Sequence, residues 1–352
     1  MSDDTVKAKR NPVSIKALFA RYEVSVIFAV LLLMLVFTVF SENFFTTYNF
    51  FNISRTASLY MFIALGQAMV LIVGGMNLSL GQIGGLTVVI AGYLMDVMGV
   101  PIWTAVIAGV CVGLMCGLLN GMIISILNLN PFVVTLATSF VFSGLINGIS
   151  KGFPYTKIPA GITWLGRRGI GFIPYMLILA VLVLIIIAYI FRYTVTGRRL
   201  LATGGNIEAA KMTAINTKKM IIIANMASGL FAAAAGLLWI SRTGSAQPST
   251  GGDWMVISFA VAVIGGTLLK GGVINPIGLF FAAYLIVMVK NGLVMLNVNI
   301  YFEQAYLGVI LLLAVSVESV RVVFNKRRSG RLLKQAHKSA AEIEADQTNE
   351  SE

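Results

Sequence analysis

At about ten places along its 352 residues this chain runs for roughly twenty residues with almost no charge, the length a helix needs to cross some 30 Å of hydrocarbon. These stretches lie at 24–40, 57–75, 78–95, 102–127, 132–149, 174–191, 220–240, 254–270, 274–290 and 304–324. Inside a bilayer every backbone N–H and C=O must find a partner within the fold, which restricts spanning segments to helices or closed barrels. Continuous runs of this length are helical. The sequence therefore predicts an all-α polytopic membrane protein of about ten transmembrane helices. Composition agrees, with 58% hydrophobic and 11% charged residues, where soluble domains carry roughly 25% charged. Lys16 and Arg21 precede the first run, but no A-x-A-like cleavage site follows before Ser41-Glu42-Asn43; 24–40 is an uncleaved first span rather than a signal peptide.

Charge placement excludes several function classes. The net charge of +12 is spread over the ends of apolar segments rather than gathered in one patch, which suits lipid headgroups and topology and not nucleic acid. With the N-terminus cytoplasmic, ten spans leave 19 of the 26 Lys and Arg inside, and this asymmetry places both termini and the 192–219 loop in the cytoplasm. The longer loop from Ser150 to Ile173 then lies outside. The expected organisation is a cytoplasmic segment 1–23, a membrane domain 24–324, and a tail 325–352 whose Lys326, Arg327 and Arg328 anchor on anionic lipid and whose acidic end is disordered. Cys111 and Cys116 share one apolar run, five residues apart, and are packing residues rather than a disulfide or metal pair. No His/Cys/Asp/Glu cluster with metal spacing occurs, and no nucleophile, base and acid can be assembled within the apolar body, so no catalytic residue, metal or resident cofactor is expected.

Three features remain as carriers of function. The polar loop reads GRRLLATGGNIEAAKMTAINTKKM, and from Asn206 to Ala214 it puts Ala209, Ala210 and Ala214 on one helical side with Glu208 and Lys211 beside them. After a Gly-Gly-Asn helix start, that is the pattern of a short helix docking on a soluble partner; the alternative is an ordinary solvated loop. Two glycine-rich interruptions, Gly74-Gly75-Met76-Asn77-Leu78-Ser79-Leu80-Gly81 followed by Gly84 and Gly85, and Gly265-Gly266-Thr267-Leu268-Leu269-Lys270-Gly271-Gly272, break the apolar runs. They serve close helix packing, or a pathway, or both, and the order of spans suits an inverted repeat of spans 2–5 and 7–10. Neutral polar groups complete the set: Gln67, Gln82, Asn120, Thr135, Thr138, Ser139, Asn147, Asn225 and Ser228, with Tyr60, Tyr93 and Phe140. Asp96, Asp253, Glu303, Lys270 and Lys290 fall at segment edges, which disfavours an ion-coupled secondary transporter. The candidate translocation path is Gln67, Asn77, Ser79, Gln82, Asn120, Thr138 and Asn147, and its neutral polarity suits a small hydroxylated solute. Interhelical hydrogen bonding is the competing use of each.

From about Asn49 to Val320 the order of these motifs, G-G-M-N-L-S-L-G, then G-R-R-L-L-A-T-G-G-N-I-E-A-A-K-M-T-A-I, then G-G-x5-G-G before an apolar run, resembles the bacterial inner-membrane permeases of ribose- and galactose-type ABC importers. Relatives carry a similar G-R-x-x-x-A-x-G-G-N-x-x-A-A-x-x-x-G-I pattern. The resemblance implies that Gly205, Asn206, Glu208, Ala209, Ala210 and Lys211 form the coupling helix that fits a groove of an ATP-binding subunit. It implies three partners: that ATPase, an extracytoplasmic solute-binding protein, and a second permease copy or homologue. ATP is then bound outside this chain, which has no G-x-x-x-x-G-K-[ST] loop. The chain departs from the pattern at Asn77, where most relatives have an acid, and at Ala214, where they have glycine.

Overall fold

The computed structural model describes residues 22–296 and the isolated residues 302, 305, 306, 308, 309 and 312. The expected segments 1–23 (apart from its last two residues), 304–324 and 325–352 thus lie essentially outside the described residues. Helices occupy each of the other nine expected spans, and shorter ones lie between spans. They are α1 (Tyr22–Phe40), α2 (Thr47–Ile72), α3 (Leu80–Asp96), α4 (Ile102–Leu127), α5 (Pro131–Ser150), a one-turn α6 (Thr163–Arg167), α7 (Tyr175–Tyr193), α8 (Val195–Gly205), α9 (Ile207–Met212), α10 (Thr217–Thr243), α11 (Trp254–Ile264) and α12 (Pro276–Met295), of which α6, α8 and α9 lie between spans. Six of them, α2, α4, α5, α7, α10 and α12, are long and apolar enough to cross a membrane. A two-stranded ribbon, β1 (Gly169–Ile170) with β2 (Ile173–Pro174), precedes α7.

Two boundaries differ from expectation for identifiable reasons. Helix α2 begins ten residues before 57, because Thr46 caps it by accepting from Asn49 N. Its polar first turns are held by Asn49 to Asn291 bonds and by Arg55 to Asn52, partners that hydropathy does not see. The span expected at 254–270 stops at Ile264, where Gly266 takes φ +84° and ends the helix.

Helix α2 is the axis of the bundle, with 89% of its most apolar window buried, whereas α5 and α7 have 22% buried and present apolar faces outward. Around it, α4 packs chiefly on α10, α12 on α2 as well as on α1, α3 chiefly on α10 and α11 chiefly on α2. Exchanging span 2 with 7, 3 with 8 and 4 with 9 maps the first pairing onto the second and the third onto the fourth, which is the relation an inverted repeat requires.

The α4–α10 crossing is the tightest, and it is made by glycine. Gly109, Gly113, Gly117 and Gly121 recur every four residues along one side of α4, a spacing that stacks them on one face. A β-carbon at Gly113 would overlap the Gly229 carbonyl and Ala233, one at Gly117 the Asn225 carbonyl, and one at Gly121 would come within 2.8 Å of the Ile222 Cα. With no hydrophobic drive between helices in lipid, such backbone approach is what associates them. At the end of the bundle opposite the 192–219 loop, α10 is pinned to the 151–174 connection. Ser241 donates to Ile162 O and accepts from Gly166 N, Arg167 donates to the carbonyls of Arg242 and Thr243, and Tyr155 pairs with Ala246. Asp96 accepts from Thr156 N and Lys157 N at 2.8 and 3.0 Å.

Gly113→Val, which forces a branched side chain into the α4–α10 seam, is expected to cost about 3 kcal/mol and to lower the melting temperature of the detergent-solubilised chain. Gly144→Val on α5, where nothing lies within 4 Å, should leave that temperature unchanged.

Candidate coupling and translocation site

The 192–219 loop is more structured than one short docking helix. Thr194 caps α8 by accepting from Gly197 N, and α8 leads directly into α9. Asn206, at φ −158°, both closes α8 and opens α9, its Oδ1 accepting from Glu208 N and Ala209 N at 3.0 Å each. These bonds satisfy two of the donors that a helix start leaves bare. Helix α9 ends after Met212 with Ile215 N donating to Ala210 O and Ala214 N to Lys211 O, the paired bonds of a Schellman stop. Ala214 takes the left-handed position of that stop, φ +57°.

The expected alanine face is therefore corrected. Ala214 lies beyond the helix, Ala210 is buried and Ala209 is exposed, so the three do not share a surface. Met212, 90% exposed, and Ile207, 41% exposed, are the apolar side chains that α9 offers outward, beside Glu208, Ala209 and Lys211. Sequence reasoning passed over both; the available signal was two large apolar residues in an otherwise polar loop.

Behind α9 the two glycine breaks meet the loop. The Ile72 carbonyl, last in α2, accepts from Gly272 N at 2.8 Å. Gly204 rests on that same carbonyl, so closely that a β-carbon there would overlap it. Gly271, at φ +86°, would bring a β-carbon within 2.8 Å of Gly204 O and 2.9 Å of Gly74 N, and Gly272, at φ +79°, abuts the Gly205 Cα. Three chain segments thus touch backbone to backbone. Each break is itself closed by a Schellman stop: Gly75 N to Val70 O with Gly74 N to Leu71 O, and Thr267 N to Ala262 O with Gly266 N to Val263 O. No helix end at these points is left bare. Downstream of the first break, Gly81 presses on the Gly251 carbonyl, Gly84 on the Trp254 ring and Gly85 on the Thr250 carbonyl.

The candidate translocation residues divide into two groups. Asn77, Ser79 and Asn120 form one fully buried network with Ser228. Asn77 Nδ2 donates to Ser228 Oγ at 2.9 Å, Asn77 Oδ1 accepts from Ser79 N and Ser79 Oγ at 3.0 and 2.8 Å, and Asn120 Nδ2 donates to Ser79 Oγ at 2.8 Å. An amide at 77 both gives and receives here, which a carboxylate cannot do. The network ties the first break to α4 and α10. Thr135 joins the same break through Met76 O. Gln67 is fully buried in α2, Gln82 and Thr138 are half-buried, and Asn147 is exposed. Asn147 lines a cavity of about 370 Å³ with Gly152, Pro154, Gln247, Pro248 and Ser249 at the end opposite α9. Lys290 does not sit at a span edge as expected; α12 continues to Met295, and its ammonium donates to Tyr60 in α2 at 2.7 Å and lies 3.7 Å from Asp253. Asp253 remains at the start of α11. Among the described residues no group of three or more His, Cys, Asp or Glu is placed to hold a metal ion.

Residues 49–315 match the family described as branched-chain amino acid transport system / permease component. Over 296 residues the chain is 31% identical to the ribose import permease protein of Escherichia coli K12, covering 83% of this chain and 92% of that one. The galactose/methyl galactoside import permease protein of the same organism is 29% identical over 324 residues, 85% of this chain and 95% of its own. The ribose import permease protein of Bacillus subtilis is 32% identical over 290 residues, with coverage of 82% and 89%. No solved structure matches.

Two outcomes follow from the junction and the stop. Gly204→Ala should abolish transport in an uptake assay, since the added carbon displaces the Ile72 carbonyl from its place at an overpacking cost of about 3 kcal/mol. Ala214→Gly removes an unfavourable left-handed alanine and should stabilise the α9 stop by about 1 kcal/mol, read as slower amide exchange at Ala214 and Ile215.

Proposed function

The chain belongs to the permease family of ribose- and galactose-type ABC importers, and from that premise we propose that it forms the membrane path by which a small hydroxylated solute, a sugar or close relative, enters the cell at the expense of ATP hydrolysed elsewhere. The observation that carries this reading is the contact of Gly204 and Gly205 with both glycine breaks, immediately before a capped, exposed helix. In this reading α9 lies in the cytoplasm with both termini, and a separate ATPase receives Ile207, Glu208, Ala209, Lys211 and Met212. Gly205 and Asn206 set the angle at which α9 leaves α8, and Ala210 seats it against the bundle.

Closure of the ATPase pushes α9. The push passes through Gly204 into the Ile72 carbonyl and Gly272, and so into the end of α2 and the start of α12 at Pro276. These two helices belong to opposite halves of the repeat, so one displacement shifts both and exchanges outward and inward openings. An extracytoplasmic binding protein delivers solute at the opposite face, where the cavity beside Asn147 supplies neutral hydrogen-bonding groups. A second copy or homologue of the chain completes the path, and the outward face of α5, where Gly144 and Gly148 stand four apart with nothing against them, suits helix-on-helix approach to it. The chain itself has no catalytic role.

Met212→Glu combined with Ala209→Glu places two carboxylates in the docking surface without touching buried Ala210. Loss of an interface anchor of about 2 kcal/mol predicts at least tenfold weaker capture of the ATPase subunit and a matching fall in ATP-dependent uptake into vesicles. Unaltered capture and uptake overturn the coupling role. Accumulation driven by an ion gradient without ATP would instead establish an ion-coupled carrier.

A further inference from the structure

A long furrow runs beside the glycine junction between α7 and the second break. Two adjoining hollows, of about 640 and 370 Å³, share Ala188, Val273, Ile274 and Pro276. Its walls are apolar: Leu184 and Ile185 on α7, Leu268 and Ile277 across from them. From Leu184 to Arg192 the furrow follows α7 for about 12 Å at 1.5 Å per residue. One end opens beside Leu182, Ile185 and Ile186, which are exposed on the outward face of a membrane-spanning helix. The other end is bordered by Phe191, Leu201 and Arg192. The Arg192 guanidinium lies over the Tyr193 ring at 5.6 Å, and α8 adds exposed Arg198 and Arg199. Between residues 97 and 252 the chain holds one carboxylate, Glu208.

We propose that this furrow is a binding site for an anionic phospholipid, with one acyl chain laid along Ala188, Val273 and Ile274 and the headgroup phosphate held by Arg192. An open apolar trough beside a lipid-facing helix takes hydrocarbon, and an arginine at the trough's end takes phosphate in its bidentate fork. Arg198 and Arg199 add attraction for a negative headgroup over a neutral one. The furrow's floor is Gly266 to Ile277, the segment whose Gly272 N holds the Ile72 carbonyl. A chain lodged there wedges α7 against the second break, so lipid identity bears on how firmly the junction is held.

The test uses the purified full-length chain with equal phosphatidylglycerol and phosphatidylcholine, and counts retained lipid by native mass spectrometry. The wild-type chain should retain phosphatidylglycerol preferentially. Arg192→Gln should lower that preference about fivefold, the worth of one basic group at an anionic surface, and Arg192→Lys should restore most of it. Ala188→Phe, which fills the trough, should release both lipids. Equal retention of the two lipids by the wild-type chain overturns the proposal, as does a preference that survives both Arg192→Gln and Ala188→Phe. Cross-linking of Val273→Cys to the chain's own residues beyond 296 or to a second copy, in place of lipid, also overturns it. Since the readout is bound lipid and not transport, failure here leaves the importer reading standing, and failure of that reading leaves the lipid count unaffected.

Discussion

One carbonyl oxygen, that of Ile72, is where three distant segments of this chain meet. It is the last acceptor of α2 and, so close to the hydrocarbon, cannot be left without a donor. Its donor is Gly272 N, from the other half of the chain, and Gly204 lies on it from a third segment. Only glycine admits this approach, because any side chain at 204, 271 or 272 meets main chain rather than a side chain that could swing aside. A contact between backbones is stiff. In the coupling proposed, a displacement that starts at α9 would have no soft side chain in its way before α2 and α12.

The rest of the bundle is built to resist such displacement. The glycine ladder of α4 locks that helix to α10, and the Asn77, Ser79, Asn120 and Ser228 network fastens the start of α3 to the same pair. Each of its bonds joins neutral groups, so no uncompensated charge is brought into lipid, and Asn120 Oδ1 is the one buried polar atom of the four side chains with no hydrogen-bond partner. Lys290 carries a charge within α12, and it is matched by the Tyr60 hydroxyl and by Asp253, as Arg55 in α2 is matched by Asn52. A rigid block of α3, α4 and α10 next to a glycine hinge at the ends of α2 and α11 is the mechanical division that a two-state transporter needs.

What could be read in the amino-acid order was the part governed by local rules. Apolar length located the helices, the Gly-Gly-Asn start located α9, and Asn206 caps it as its type suggests. Tertiary partners decided the remainder. The early start of α2 depends on Asn291, 242 residues away, and four of the groups first read as a path, Asn77, Ser79, Asn120 and Thr138, bond with one another, with Ser228 or with backbone, while the buried Gln67 amide has no partner. The two breaks were legible as breaks, but nothing in either says that they converge on the loop, since Gly204, Gly74 and Gly271 are joined only by the fold. The resemblance to sugar-importing permeases suggested a role for the loop; the backbone contacts were found only in the fold.

The three helix stops around the junction show where strain is tolerated. All use the same paired bonds and the same left-handed residue, which is Gly74 after α2, Gly266 after α11 and Ala214 after α9. At Gly74 and Gly266 the left-handed position is filled by glycine, which escapes the intrinsic cost of about 1–2 kcal/mol that a left-handed L-residue bears. Ala214, an exposed L-residue at φ +57°, bears that cost, and water meets the carbonyls if the last turn opens. An alanine at that point makes α9 the least firmly terminated of the three. Of the three stops, the strained one therefore belongs to the six-residue α9, and the two that border the glycine junction are free of it.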